Sequence, residues 1–334
     1  MRPWLWLPPK LAHDLSPLGL QALAAFRDVT VYDWSPREWR GLKFANPLGI
    51  AGGVDKDATE VEDWWRFGPG FIEIGTVTPK AQGANDGRII DRDAKAEALW
   101  NRMGFPSQGV DRVRANLIDL PDQRPTPIFA NIGKNRWTAN EGAAADYAKC
   151  IDELAGHADA FVVNISSPNT TGLRDLLKPE NLRPFLKTVL EARDRSAGKT
   201  PLLLKLSPDL EPQDLASGVR TGVELGVDGF IATNTTLARE QGLDFPKEGG
   251  VSGRPLASRS IDCLKSVISH LGQERRGKLV ISAGGVMTPD DVFERLRMGA
   301  DLVQVYTALV FHGPNFFRDV SRAALSRSAP ASLQ

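Results

Sequence analysis

From residue 44 to the end, short apolar runs alternate with stretches whose apolar positions recur at helical spacing. The runs lie at 44–51, 71–78, 127–133, 160–166, 202–206, 229–235, 279–284 and 302–307. The helical stretches lie at 57–66, 107–119, 139–156, 179–196, 211–225, 257–271, 288–298 and 313–326. Strands buried on both faces of a parallel sheet read as continuous apolar runs rather than alternating ones. Eight such units in about 280 residues predict an α/β fold, a (β/α)8 TIM barrel. A doubly wound open sheet is the competing architecture, but no GxGxxG follows the first run.

Residues 1–40 read differently. Met1-Arg-Pro-Trp-Leu-Trp-Leu7 opens the chain with two Trp and two Leu, and Leu15, Leu18, Leu20, Leu23 and Phe26 follow at roughly helical spacing. We expect an N-terminal helical extension over 1–40 and a barrel over 41–334. The extension reads either as a helix packed on the body or as an interfacial segment with Trp at headgroup depth. No run approaches the ~20 apolar residues of a membrane-spanning helix.

Polar residues gather where the runs end. The richest tip is Asn164-Ile-Ser-Ser-Pro-Asn-Thr170, after the run Ala160-Phe-Val-Val163. Its amides and hydroxyls both donate and accept, and Pro168 stiffens the turn. Such a tip suits a flat, polar heterocycle; the plain alternative is a capped strand-to-helix loop. The other tips are Gly52-Gly53-Val-Asp-Lys56, Gly75-Thr76-Val-Thr78, Asn131-Ile-Gly-Lys-Asn135, Lys205, Thr233-Asn-Thr-Thr236, Gly284-Gly285 and Tyr306-Thr307. The carboxyl ends of barrel strands form one face, where chemistry takes place. The last two units fit a phosphate, which barrels often bind after strands 7 and 8 at a helix N-terminus.

Composition removes other classes. Lys plus Arg and Asp plus Glu are 41 each, and no basic tract exists, so nucleic-acid binding has no electrostatic support. Cys150 and Cys263 form no CxxC, which argues against a disulfide framework and for a reducing compartment. Of His13, His157, His270 and His312, none pair at HExxH spacing, so a His-built metal site is disfavoured.

The tips also carry a likeness. Asn46-Pro-Leu-Gly-Ile-Ala-Gly-Gly-Val-Asp-Lys56, Glu73-Ile-Gly-Thr-Val-Thr-Pro79, Asn101-Arg-Met-Gly-Phe105, Asn131-Ile-Gly-Lys-Asn135, Asn164 to Thr170, Ala232-Thr-Asn-Thr-Thr236 and Gly253-Arg-Pro-Leu256 together resemble the dihydroorotate dehydrogenase family, in its quinone-dependent (class 2) branch. Ser167 stands where that branch has its base and the soluble class has Cys. Pro9-Lys-Leu-Ala-His13 resembles the start of the second helix of the branch's N-terminal extension, with the first helix cut to 1–7. Gly87-Arg-Ile-Ile-Asp-Arg92 departs from the family, which usually has an aromatic between two Arg.

The resemblance implies oxidation of (S)-dihydroorotate to orotate, with FMN as cofactor and a membrane quinone as acceptor, in pyrimidine biosynthesis. It implies Ser167 as general base. Substrate contacts would be Lys56, Asn101, Arg102, Met103, Gly104, Phe105, Asn164, Asn169, Asn234 and Thr235. Flavin contacts would be Gly52, Gly53, Val54, Asp55, Lys56, Thr76, Asn131, Asn164, Lys205 and Thr233, with Lys205 beside flavin N1. Gly253, Gly284, Gly285, Tyr306 and Thr307 would hold the phosphate. Gly172-Leu-Arg-Asp175 looks like a lid. The likeness further implies a monomer touching the cytoplasmic face of the cell membrane. Three rivals remain: a soluble class 1 enzyme using fumarate or NAD, a Schiff-base aldolase at Lys205, and a non-catalytic flavin-binding barrel.

Overall fold

A computed structural model describes residues 2–328. The chain opens with a 3-10 turn at Pro3–Trp6, then α1 (Pro9–Ala24) and a hairpin of β1 (Arg37–Trp39) and β2 (Leu42–Phe44). Next come β3 (Leu48–Ile50), α2 (Val61–Trp65), β4 (Ile72–Val77), β5 (Ile90–Asp93), β6 (Ala98–Asn101), α3 (Val110–Ile118), β7 (Ile128–Ile132) and α4 (Ala143–Leu154). The middle holds β8 (Ala160–Asn164), α5 (Pro179–Ser196), β9 (Leu202–Leu206), α6 (Pro212–Leu225), β10 (Gly229–Ala232) and β11 (Gly250–Gly253). The last elements are α7 (Ala257–Leu271), β12 (Leu279–Ala283), α8 (Pro289–Arg297), β13 (Leu302–Val305), α9 (Thr307–His312) and α10 (Phe316–Ser328).

Eight parallel strands close into a barrel in the order β3-β4-β7-β8-β9-β10-β12-β13. Each comes from one of the eight apolar runs, so the fold is the (β/α)8 barrel the sequence predicts. Alternation divides each strand between two environments. Outward residues such as Ile72, Ile74, Phe161, Val163, Leu204 and Val303 pack in the large core beneath the helices. Inward residues form a second core at the amino end, with Phe71, Phe129, Val162, Leu203, Ile231, Ile281 and Leu302. Phe44, delivered by the β1–β2 hairpin, closes this floor edge-on against Phe71 and Phe129, at centroid distances of 6.0 and 6.2 Å. One or two steps further along the same strands, the inward positions become Glu73, Asn131, Asn164, Lys205, Thr233 and Gln304. An apolar floor therefore carries a polar mouth.

Local chemistry sets some boundaries. Thr288 Oγ1 accepts from Asp291 N at 3.2 Å while Asp291 Oδ2 accepts from Thr288 N at 2.8 Å, a reciprocal cap that starts α8. The run at 302–307 overshoots: β13 stops at Val305, and Thr307 opens α9. The helical expectation over 1–40 holds only to Ala24. After Phe26 the charged residues Arg27, Asp28 and Asp33 and then Pro36 interrupt the helical pattern, and β1 starts at Arg37. A three-stranded antiparallel sheet, β11-β6-β5, was not anticipated.

Candidate functional site

The mouth opens into a cavity lined by residues from every quarter of the barrel. Lys56, Thr76, Asn164, Ser167, Asn169, Lys205, Thr233, Asn234, Thr235, Gln304, Tyr306 and Thr307 line it, with Gly52, Gly53, Gly284 and Gly285. The extra sheet contributes Leu99, Asn101 and Ser252, and the loop after it Met103, Gly104 and Phe105. Its strands place these residues by register: Asn101 pairs across to Gly250, and Leu99 to Ser252.

A buried carboxylate organises the base of the mouth. Glu73 is fully buried. Its Oε1 accepts from Lys205 Nζ at 2.8 Å and from Asn131 Nδ2 at 2.5 Å. Its Oε2 accepts from Gln304 Nε2 at 2.5 Å. A buried lysine without such a partner would face a large desolvation cost. Here the pair delivers a compensated ammonium to the cavity wall. Gly52 permits the approach, because a Cβ there would lie 2.4 Å from Glu73 Oε1.

A lattice of neutral amides sits above the pair. Thr76 Oγ1 donates to Asn131 Oδ1 at 2.7 Å, and Asn164 Nδ2 donates to both Thr76 Oγ1 and Asn131 Oδ1 at 3.1 Å. Asn164 Oδ1 accepts from Ser166 Oγ and Asn234 Nδ2, both at 3.2 Å. Asn169 Nδ2 donates to Asn101 Oδ1 at 2.8 Å. Ser167 is buried, and its Oγ accepts from Asn169 N at 3.2 Å. Among the buried side-chain atoms that have no partner in the described residues, Asn169 Oδ1 and Gln304 Oε1 belong to cavity-lining residues, and Thr170 Oγ1 lies on the same strand tip as Asn169. Orphaned polar groups in a cavity wall call for a polar ligand.

Lys56 lies at the rim nearest α1. Burial lowers its pKa below the usual lysine value, opposed by Glu60, Asp55 and Asp57. The far end is built from backbone. Gly285 has φ +70°, and a Cβ there would lie 2.3 Å from Ala257 Cα, so no other residue fits. Ser252 Oγ and Thr307 Oγ1 meet at 2.8 Å beside it. Burial lifts the Tyr306 hydroxyl to about 12, so the phenol stays neutral.

Five of the anticipated residues stand apart from the lining. Asp55 is buried with its carboxylate on Thr59 N and Glu60 N, both at 3.0 Å, ahead of α2. Val54 packs on the outer core. Asn131 supports the lattice from behind. Gly253 approaches Glu97 O. Arg102 turns outward to Asp86 O at 2.6 Å and Glu248 at 3.4 Å. Conversely, the carboxylate of Glu73 and the amide of Gln304 were not singled out. Their signal is one charged or amide residue inside an otherwise apolar strand. Leu173–Leu177 forms a 3-10 turn over the mouth. Arg174 pins it, donating to Ser166 O at 2.9 Å, Asp209 at 2.8 Å and Thr235 O at 3.0 Å.

A closed parallel barrel with a polar mouth and a glycine-lined far end is the frame of a barrel enzyme. The family model described as dihydroorotate dehydrogenase matches residues 37–327. "Dihydroorotate dehydrogenase (quinone)" of Deinococcus radiodurans is 42% identical over 325 residues, covering 94% of this chain and 85% of the relative. A protein of the same name from Thermus thermophilus is 44% identical over 327 residues, covering 93% and 91%. A crystal structure of DHODH from Eimeria tenella with ferulenol superposes with a TM-score of 0.85 at 33% identity, covering 96% of this chain and 91% of that one. The chain belongs to the dihydroorotate dehydrogenase family.

Proposed function

We propose that this chain oxidises (S)-dihydroorotate to orotate and passes the electrons to a quinone, in pyrimidine biosynthesis. The observation that carries this reading is the convergence of Ser167, Lys56, Lys205 and the amide lattice on one cavity. The printed activity of the relatives at 42% and 44% identity supports it.

The residues fit FMN. The amide lattice and the orphaned Gln304 Oε1 suit a ring edge that alternates donors and acceptors, and the Gly284-Gly285 turn suits a single phosphate. Thr76, Thr233 and Lys205 would hold the ring; Gly53, Tyr306 and Thr307 would hold the chain leading to the phosphate. When bound, the flavin supplies the hydride acceptor. The protein's own residues do the rest. Lys56 binds the substrate carboxylate. Asn101, Asn169, Asn234 and Thr235 fix the dihydropyrimidine ring, where neutral amides serve both its C=O and its N–H groups. Ser167 Oγ takes the C5 proton, and Thr170, whose hydroxyl is free within the described residues, carries it onward. Arg174 keeps the lid seated and water out.

The N-terminal segment serves the acceptor. No described helix is long and apolar enough to cross a membrane. Trp6, Leu18 and Phe26 are nonetheless exposed, at 78%, 62% and 96%. They form a peripheral contact with the cytoplasmic face of the membrane, where the quinone resides. The enzyme works as a monomer.

Ser167→Ala tests the assignment. Wild-type protein should lose its flavin absorbance on adding dihydroorotate without oxygen. The variant should keep its flavin but bleach about 10²–10⁴-fold more slowly, the usual cost of losing a general base. Bleaching of the variant at the wild-type rate would remove Ser167 from the chemistry.

A further inference from the structure

The segment Gln82–Asn85, beyond the end of β4, backs the loop that carries Met103, Gly104 and Phe105 into the cavity wall. Gln82 is buried. Its Nε2 donates to Phe105 O at 2.8 Å and to Gly104 O at 3.1 Å. Its Oε1 accepts from Asn135 Nδ2 and from Arg136 N, both at 3.0 Å. A primary amide has two donor hydrogens and an oxygen with two lone pairs, so every hydrogen-bonding position of this side chain is used. Its direction is fixed as well. Turned over, the amide would set its oxygen against two carbonyls and its N–H groups against two donors. The backbone joins the same segments: Gln82 N donates to Ser107 O and Ser107 N to Gln82 O, both at 2.9 Å.

The two carbonyls that Gln82 holds belong to a left-handed pair. Gly104 has φ +71° and Phe105 has φ +58°. Glycine takes that conformation freely, whereas a bulky side chain resists it. Such a residue stays left-handed only where its surroundings over-determine it. Here Gln82 fixes the carbonyl on each side of the Gly104–Phe105 link, and Asn85 N donates to Met103 O at 2.9 Å. Asn85 also crowds Gly104, where a Cβ would lie 2.4 Å from its Oδ1. Its Nδ2 donates to Asn169 O at 3.1 Å, which ties the loop to the strand tip that carries Ser167. The Phe105 ring stands over Gly133, where a Cβ would lie 3.0 Å from Phe105 Cε2. Relaxation of the Phe105 backbone to a right-handed or extended form would swing that ring out of its place in the wall.

We propose that Gln82 is a positioning residue for the substrate: by holding the carbonyls of Gly104 and Phe105 it keeps Phe105 left-handed and its ring in the cavity wall, and so sets how tightly the mouth takes a dihydropyrimidine. The inference rests on the dihydroorotate reading above. Gln82 acts through the loop alone, because none of its hydrogen bonds reaches Ser167, Lys56 or Lys205. Its loss therefore loosens the substrate and leaves the proton-accepting group in place. The side chain is hard to replace, since no other offers two donors and two acceptors at that length.

The test uses full-length holoenzyme, with orotate binding read from the shift in flavin absorbance and flavin bleaching read by stopped flow. Gln82→Met keeps the length of the side chain and removes its donors. It should raise the dissociation constant of orotate about tenfold, the equivalent of ~1.4 kcal/mol. Half-saturation of bleaching by dihydroorotate should rise in parallel, while the limiting rate stays within about threefold of wild type, as expected when only uniform binding is lost. Gln82→Glu is isosteric and keeps the acceptors for Asn135 and Arg136, but sets an oxygen against the two carbonyls. It should weaken orotate at least as much, and it stands in should Gln82→Met fail to fold. In a Phe105→Gly background, Gln82→Met should add less than about twofold, because the residue it positions is gone. Unchanged orotate binding in either variant overturns the proposal. So does a slower limiting rate at unchanged half-saturation, or a full tenfold effect in the Phe105→Gly background. A wild-type holoenzyme that neither binds orotate nor bleaches with dihydroorotate overturns the functional reading instead.

Discussion

Every residue of β8, Ala160–Asn164, is buried; no residue of the turn Pro3–Trp6 is. The barrel strands are fixed by apolar contact on both faces, and the side chains they aim into the mouth inherit that rigidity. The N-terminal segment is held by fewer contacts: Leu20 and Ala24 of α1 reach the core and Leu5 packs against it, while Trp6, Leu18 and Phe26 face outward. The difference assigns work. Proton and hydride removal need groups held to a fraction of an ångström, and they sit on strand tips. On the proposed function, admission of a lipid-soluble acceptor would need an apolar, adjustable surface, and the N-terminal segment is where such a surface is exposed.

The comparison breaks first if the barrel floor is weakened. Phe129 is fully buried, with its ring 5.3 Å from that of Phe71. Phe129→Ala should cost about 3–5 kcal/mol of stability, read as a fall in the urea midpoint with m unchanged. Folded variant should still bleach with dihydroorotate near the wild-type rate, because the floor supports the mouth without touching it. A loss of only a few tenths of a kcal/mol would show that the floor is not a packed core.

A smaller effect sharpens the other side. His13 of α1 has its pKa lowered from 6.5 to about 4, chiefly by burial, then by Lys56 and Lys10, with Asp14 opposing. The docked segment keeps His13 neutral, whereas the released segment binds a proton below about 6.5. Docking is therefore at full strength above that pH and weakens as pH falls toward about 4, with a slope below the ~1.4 kcal/mol per pH unit of one whole proton. Hydrogen exchange of the first 24 residues between pH 6 and 4, referred to the intrinsic exchange rate at each pH, provides the readout. His13→Gln should flatten the profile. An equally steep profile in that variant would assign the effect to another group.

Much of this was legible in the sequence. The eight barrel strands announce themselves because burial on both faces demands uninterrupted apolar runs, and Phe161, Val162 and Val163 in one row leave few other readings. The lining residues were legible because polar groups at strand ends have a defined place in a barrel. The antiparallel sheet was not: Gly250-Val-Ser-Gly253 has little strand character, and it is set by partners about 150 residues away, as Gly250 opposite Asn101 shows. The Glu73 network was hidden for the same reason, since Lys205 and Gln304 meet its carboxylate from 132 and 231 positions away. Asp55 misled because it stands in a run of cavity residues while its carboxylate turns back to Thr59 and Glu60. Of the four apolar residues that open the chain, Trp4, Leu5 and Leu7 are half-buried and only Trp6 is exposed, because Trp4 and the carbonyls around it are drawn onto the barrel by α9 and Arg92.

The most direct test of the division is to remove the segment and follow each half-reaction by stopped flow. The cut belongs before Arg37, where β1 and the family match begin, since removing all of 1–40 would sever the hairpin that carries Phe44. We predict a yellow, folded protein that dihydroorotate bleaches near the wild-type rate. Its colour should return about 10²-fold more slowly with decylubiquinone, the scale of loss expected when a reactant is no longer positioned. Equal quinone rates before and after truncation, or a truncated protein that loses its flavin and its fold, would contradict the account.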